Sequence, residues 1–203
     1  MIKQLTLLDA VKFQKLIINM YSNLENLEWF TPMPYDLENV KAILSNPRFY
    51  VIGFFDKDTL CGVCSFDYKC GKLIGKIEFP KDCNTDKLVE IGFTMVHSEY
   101  KGNGIMKKMV EYLINKAKDD GFEWIFSKVH IDNLASSKSL IFNGFEKYIT
   151  YQKGVNLADF KSLAEQSFFS QLGKINAAKT LAKISPTDTE IIANYDILIK
   201  QLI

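Results

Sequence analysis

Residues 88–117 read "LVEIGFTMVHSEYKGNGIMKKMVEYLINKA". An apolar run suited to a central strand leads through a turn with two glycines into a helical pattern. Ile105, Met106, Met109, Val110, Leu113, Ile114 and Ala117 recur at helical spacing, and Gly121 is a natural stop. The chain must therefore mix strands and helices. Gly102 and Gly104 have two uses. They can make a plain turn, or they can aim successive N–H groups into one concavity that holds an anion. The helix start adds unpaired N–H donors and a positive dipole end, and Lys101 adds a mobile charge.

Around this unit the pattern alternates. "IKQLT" reads as a short strand, and Asp9 is placed to cap a helix carrying Val11, Phe13, Ile17, Met20 and Tyr21. Asp36 caps a second helix with Leu37, Val40, Ile43 and Leu44, which Asn46-Pro47 ends. "FYVIGFFDKDTLCGVCSFDY" reads as two strands around a turn at Asp56-Lys57-Asp58, and "GKIEF" as a short strand. "FEWIFSKVHI" is another strand, "LASSKSLIF" a short helix after Asp132-Asn133, and "FEKYITYQ" a further strand. Residues 155–193 read mostly helical, with a capping-box signal at Thr187 and Glu190. "NYDILIKQLI" continues that helix or forms a terminal strand.

The bulk numbers exclude several classes. With 25 basic and 24 acidic residues the chain lacks the basic excess of a nucleic-acid binder. No run approaches the ~18 apolar residues of a membrane span, and the first twenty residues lack a signal-peptide core. The expected location is the cytoplasm, with no membrane partner. "CGVC" has zinc-knuckle spacing, but it lies in a strand reading, where residues three apart face opposite ways. Cys61, Cys64, Cys70 and Cys83 are expected as reduced thiols, and no metal site is expected.

Three phosphate-binding schemes compete for the glycine loop. A P-loop needs Lys-Ser or Lys-Thr after its second glycine, where Ile105-Met106 stand. A dinucleotide fingerprint needs Gly or Ala where Lys107 stands. The third scheme fits best: "KGNGIM" resembles the Gln/Arg-x-x-Gly-x-Gly/Ala loop of the Gcn5-related N-acetyltransferases, with Lys101 for Arg or Gln and Met106 for the final small residue. "DNLASSKSLIFNGF" resembles the family's Asn-x-x-Ala/Ser helix ending in Gly-Phe. The element order agrees over residues 1–151.

The resemblance implies a single domain over residues 1–203. Its fold would be α/β (α+β), a mixed and mostly antiparallel sheet flanked by helices, the acyl-CoA N-acyltransferase fold. "YDILIKQLI" would be the terminal strand and 155–193 a helical insertion before it, covering the acceptor site, making a homodimer contact or padding the fold. The implied cofactor is acetyl-CoA. The Val96 backbone and Asn133 would hold the pantetheine arm, with Ser136 beside them. N–H groups of Gly102, Asn103, Gly104, Ile105 and Met106, next to Lys101, would hold the pyrophosphate. Glu90 occupies a position resembling a catalytic glutamate, as base for a primary amine of a small molecule or peptide. The family's tyrosine acid corresponds to Leu140, which cannot donate a proton. His97 and His130 take no assigned role. Trp29, Phe30 and Tyr35 are candidates to shape an acceptor pocket, and Glu25 and Glu28 to attract a cation. The alternatives are a weak or inactive acyl-CoA-binding regulatory module, and an interaction protein built around the insertion.

Overall fold

The computed structural model describes residues 1–24, 26, 29, 35–70, 77–156 and 190–202. The elements are β1 (Ile2–Gln4), α1 (Ala10–Ser22), α2 (Leu37–Ser45), β2 (Phe49–Asp56), β3 (Thr59–Asp67), β4 (Leu88–Val96), α3 (Ile105–Asp119), β5 (Trp124–His130), α4 (Leu134–Phe142), β6 (Glu146–Asn156) and β7 (Glu190–Gln201). One sheet runs β1-β2-β3-β4-β5-β7-β6. Only β4 and β5 pair parallel among these neighbours. This is the mixed, mostly antiparallel sheet that the family resemblance implies.

Strand alternation divides the core. Val51 and Val63 join the cluster under α1, with Phe13, Leu16 and Ile17, while their neighbours Ile52 and Cys64 join the cluster under α3, with Met109, Val110 and Leu113. The periodic residues of α3 are buried except Met106, which is half-buried. Asp36 caps α2 as expected, accepting from the Asn39 N–H at 2.9 Å. Asp9 behaves differently: its carboxylate turns back to the Thr6 N–H and to Lys3, both at 3.1 Å, so it secures the turn before α1 and leaves α1 without a side-chain cap.

The thiols need one correction. Cys61 is skipped in the β2–β3 ladder, where Phe54 faces Gly62 and Phe55 faces Leu60. The bulge turns Cys61 and Cys64 to the same α3 side of the sheet, so strand alternation does not separate them. All four cysteines are free, burial pushes Cys64 and Cys70 up to about 12, and no metal-holding cluster occurs among the described residues.

The C-terminal segment is a strand. β7 lies between β5 and β6, and its ladder with β6 reaches Asn156↔Glu190. Residues 155, 156 and 190–193, expected inside a helical insertion, therefore belong to paired strands, and Glu190 opens a strand where a capping box was expected. The backbone groups there that face across the β6–β7 ladder gain partners in it, which outweighs local helix signals. The expected helices within 157–189 lie outside the described residues. At "GKIEF" only Ile77 forms an isolated bridge; 71–76 lie outside the described residues.

Candidate active site

The site opens where two parallel strands part. β4 and β5 pair from Leu88↔Trp124 to Ile91↔Ser127 and no further, although both strands continue. A bulge lies at this point: Gly92 and Phe93 of β4 stand between Ile91↔Phe66 and Thr94↔Cys64, against the single residue Ser65 of β3. The extra residue bends β4 with β3 and away from β5. The Ser127 hydroxyl donates to the Ile91 carbonyl at 3.2 Å and marks the fork.

Two chambers share this fork. The larger, about 740 Å³, runs from Thr94–Val96 past the glycine loop to the starts of α3 and α4. The smaller, about 260 Å³, lies deeper toward Glu90. Met20, Trp29, Thr94, Met106, Asn133 and Ser136 line both, so the two chambers adjoin.

The glycine loop stands at the mouth of the larger chamber. Gly102 and Gly104 have φ of +83° and +69°, the left-handed region, and a Cβ added to either meets nothing within 4 Å. Glycine is thus required by backbone conformation, and the surrounding space is open. Gly104 caps α3 without a side chain. Among the described residues, no acceptor pairs with the N–H groups of Gly102, Asn103, Gly104, Ile105, Met106 or Lys107. These donors, the helix dipole, and Lys101, Lys107 and Lys138 on the chamber wall make a cationic cradle. The residues present fit a pyrophosphate followed by an extended arm, as in coenzyme A.

The other expected residues are distributed as follows. Val96, Lys101, Gly102, Gly104, Ile105, Met106, Asn133 and Ser136 all line the larger chamber. The Asn103 side chain turns away, donating to the carbonyls of Tyr100 and Lys101. Asn133 also caps α4, its Oδ1 accepting from the Ser136 N–H at 3.2 Å. Leu140 is completely buried under α3 and reaches neither chamber. Trp29 lines both chambers and stacks on His130, with ring centroids 6.4 Å apart. Tyr35 packs on the α1 core instead. Phe30, Glu25 and Glu28 lie outside the described residues. His97 stays off both walls, its Nδ1 accepting from the Glu99 N–H. His130 lines the smaller chamber, its Nδ1 accepting from the Asp132 N–H at 3.2 Å.

Glu90 lines the smaller chamber and is 8 % exposed. Among the described residues its carboxyl has no hydrogen bond or ion pair. Burial raises its pKa to about 7, and the nearby Asp67 charge adds to this, against the pull of Lys128, Arg48 and Lys153. Asp67 is its cross-strand partner on β3. Arg48 grips Asp67 with both arms, Nε at 2.7 Å and Nη2 on the second oxygen. The sequence reading missed Asp67, Lys128 and Tyr195, which the sheet brings to the smaller chamber with Glu90, and Arg48, which pairs with Asp67.

The ion pair yields a first prediction. Arg48→Ala removes the cation paired with the buried Asp67 beside Glu90. The expected loss of stability is about 2 kcal/mol, set below the fully buried case because Arg48 is a third exposed. The Glu90 midpoint should rise, since a neutralising cation is gone. Chemical denaturation and the pH–rate profile check both.

This fork, with an anion cradle at its mouth, defines a fold for binding an acyl-coenzyme A. The profile of the Acetyltransferase (GNAT) family matches residues 16–140, and the chain belongs to this family of acetyltransferases, whose cofactor is acetyl-CoA. Solved structures agree in fold. An N-acetyltransferase from Staphylococcus aureus Mu50 superposes with a TM-score of 0.66 at 14% identity, covering 100% of this chain and 98% of that one. A ribosomal-protein-alanine N-acetyltransferase from Brucella melitensis gives 0.65 at 17%, covering 99% of each. A Salmonella typhimurium protein solved with its cofactor acetyl-CoA gives 0.65 at 15%, covering 100% of this chain and 94% of that one. No curated protein matches the chain. Among the described residues no helix is long and apolar enough to cross a membrane.

Proposed function

We propose that the protein moves an acetyl group directly to the primary amine of a small molecule or peptide, with Glu90 as general base. The observation that carries this reading is the buried Glu90 carboxyl, unpartnered among the described residues, in a chamber that adjoins the cofactor chamber. Acetyl-CoA supplies an activated thioester. A lysine-like amine has a pKa of ~10.4, so only about one in 10³ is neutral at pH 7. A carboxylate with a pKa near 7 can take that proton, directly or through one water. The N–H groups of Gly102 to Met106 would hold the pyrophosphate, with Lys101 beside them. The Val96 backbone and Asn133, with Ser136 beside them, would hold the pantetheine arm. As the C–N bond forms and the C–S bond breaks, the departing thiolate takes its proton from solvent. A free thiol's pKa of ~8.5 makes a dedicated acid dispensable. The same reading places the protein in the cytoplasm, where unpaired cysteines persist.

The test is turnover of acetyl-CoA against a panel of primary amines, with N-acetylated products identified by mass. Binding of acetyl-CoA without any N-acetylated product would overturn the proposal. That outcome would favour the second reading, an acyl-CoA-binding module with little or no activity, which the buried Leu140 supports by removing the family's usual proton donor.

Met106 gives a further prediction. It stands at the junction of the two chambers, where the family motif has a small residue. Met106→Ala should widen the junction and raise kcat/KM for propionyl-CoA relative to acetyl-CoA by roughly 10-fold, about the worth of one buried methylene or two. The half-buried side chain also packs on the α3 core, so a stability loss near 1 kcal/mol accompanies it. An unchanged acyl preference would show that Met106 turns aside from the acyl group.

A further inference from the structure

Lys128 lines the smaller chamber together with Glu90. It sits two residues beyond Phe126, the parallel partner of Glu90, and so on the same sheet face. Two strand residues along and one strand across put the two Cα atoms about 8 Å apart, or more where the strands splay. Lys128 Nζ lies over the Tyr195 ring at 5.4 Å, and Tyr195 also lines the chamber. Among the described residues Lys128 forms no ion pair, and it does not reach Glu90. The chamber's other charges are occupied: Asp67 by Arg48, and His130 Nδ1 by the Asp132 N–H. What remains is one acid and one base facing the same space without touching.

We infer that the acceptor carries a carboxylate as well as its amine, as a free amino acid does, with the amine at Glu90 and the carboxylate at Lys128. This rests on the N-acetyltransferase reading above. An anion of the acceptor meets a cation that, among the described residues, holds only the Tyr195 ring and no carboxylate, and its amine meets a carboxyl that among them has no partner. The small chamber favours such a ligand over a bulky one, since about 260 Å³ lies below the ~300 Å³ at which ordinary small-molecule pockets begin.

The experiment compares matched acceptors with purified protein and acetyl-CoA: leucine with isoamylamine, phenylalanine with phenethylamine, lysine with cadaverine, glycine with glycinamide. The expected result is a kcat/KM at least roughly 10- to 100-fold higher for one or more of the acids than for its partner, the span of one charge-assisted hydrogen bond. In Lys128→Met that ratio should collapse toward one, and in Lys128→Glu it should invert. Turnover of the neutral partners equal to or better than the acids, in the unmodified protein, overturns the inference while leaving the N-acetyltransferase reading intact. Thiol release without any N-acetylated product overturns the parent reading and the inference with it. The comparison within the unmodified protein decides the question even if the Lys128 variants fold poorly.

Discussion

Glu90→Gln is expected to lower kcat by about 10²- to 10⁴-fold, the usual worth of a positioned general base. The pH profile should change with it. The unmodified protein should gain activity as pH rises through about 7, where Glu90 loses its proton, and then level off. The glutamine variant should show no rise at that pH. Retention of the rise would assign it to another group and remove Glu90 from the chemistry. Stability should move in the opposite direction. The carboxyl holds its proton in the fold at pH values where the unfolded chain, near 4.5, has lost it. Stability is therefore fully present below about 4.5 and falls as pH rises to about 7. The displacement from 4.5 to about 7 corresponds to about 3 kcal/mol. Glutamine carries no charge, so the variant should melt above the unmodified protein at pH 8 and match it near pH 4. A thermal melt series across that range reads the difference.

The paired substitution Gly102→Val, Gly104→Val should weaken acetyl-CoA binding by at least about 10²-fold. A Cβ at either position meets no protein atom within 4 Å. The cost is conformational: φ of +83° and +69° disfavours an L-residue by about 1–2 kcal/mol, more for a β-branched one. The loop relaxes to negative φ, and the N–H groups of residues 102–106 no longer converge. Charge-assisted hydrogen bonds contribute about 1.5–3 kcal/mol each, so losing two accounts for the expected change. Calorimetry with acetyl-CoA measures it. Because the α3 core does not involve these glycines, the fold should persist, and circular dichroism checks that. Undiminished binding in a folded variant would detach the loop from the cofactor.

What could be read from the chain follows how local each signal is. The glycine loop, the buried face of α3, the Asp36 cap and the element order are set by residues near one another, and the structure shows them at their expected places. The two bulges are not local. Nothing in "TLCGVC" announces that Cys61 will be skipped, because the shift arises against Phe54 and Phe55 on another strand. The same holds at Gly92 and Phe93, whose extra residue matters only against Ser65. Glu90 was visible through family resemblance, yet the groups that set its charge were not. Asp67 faces it across a strand pair, Arg48 holds Asp67, and Lys128 lies across the fork without reaching it. The strand signal of β7 competed with helix signals upstream, and its pairing with both β5 and β6 decided it.

The parting of β4 from β5 also bears on solubility. Beyond Ile91 the free side of β4 is a sheet edge, and unpaired edges are templates on which other chains add strands and aggregate. Here that edge is inside the sheet, walled by β5 on the far side and roofed by residues of α1, α3 and α4. It runs only from Gly92 to Val96, too short and too enclosed to accept a strand from a neighbouring molecule. The protein keeps a row of backbone donors and acceptors open to a slender ligand while denying it to another polypeptide.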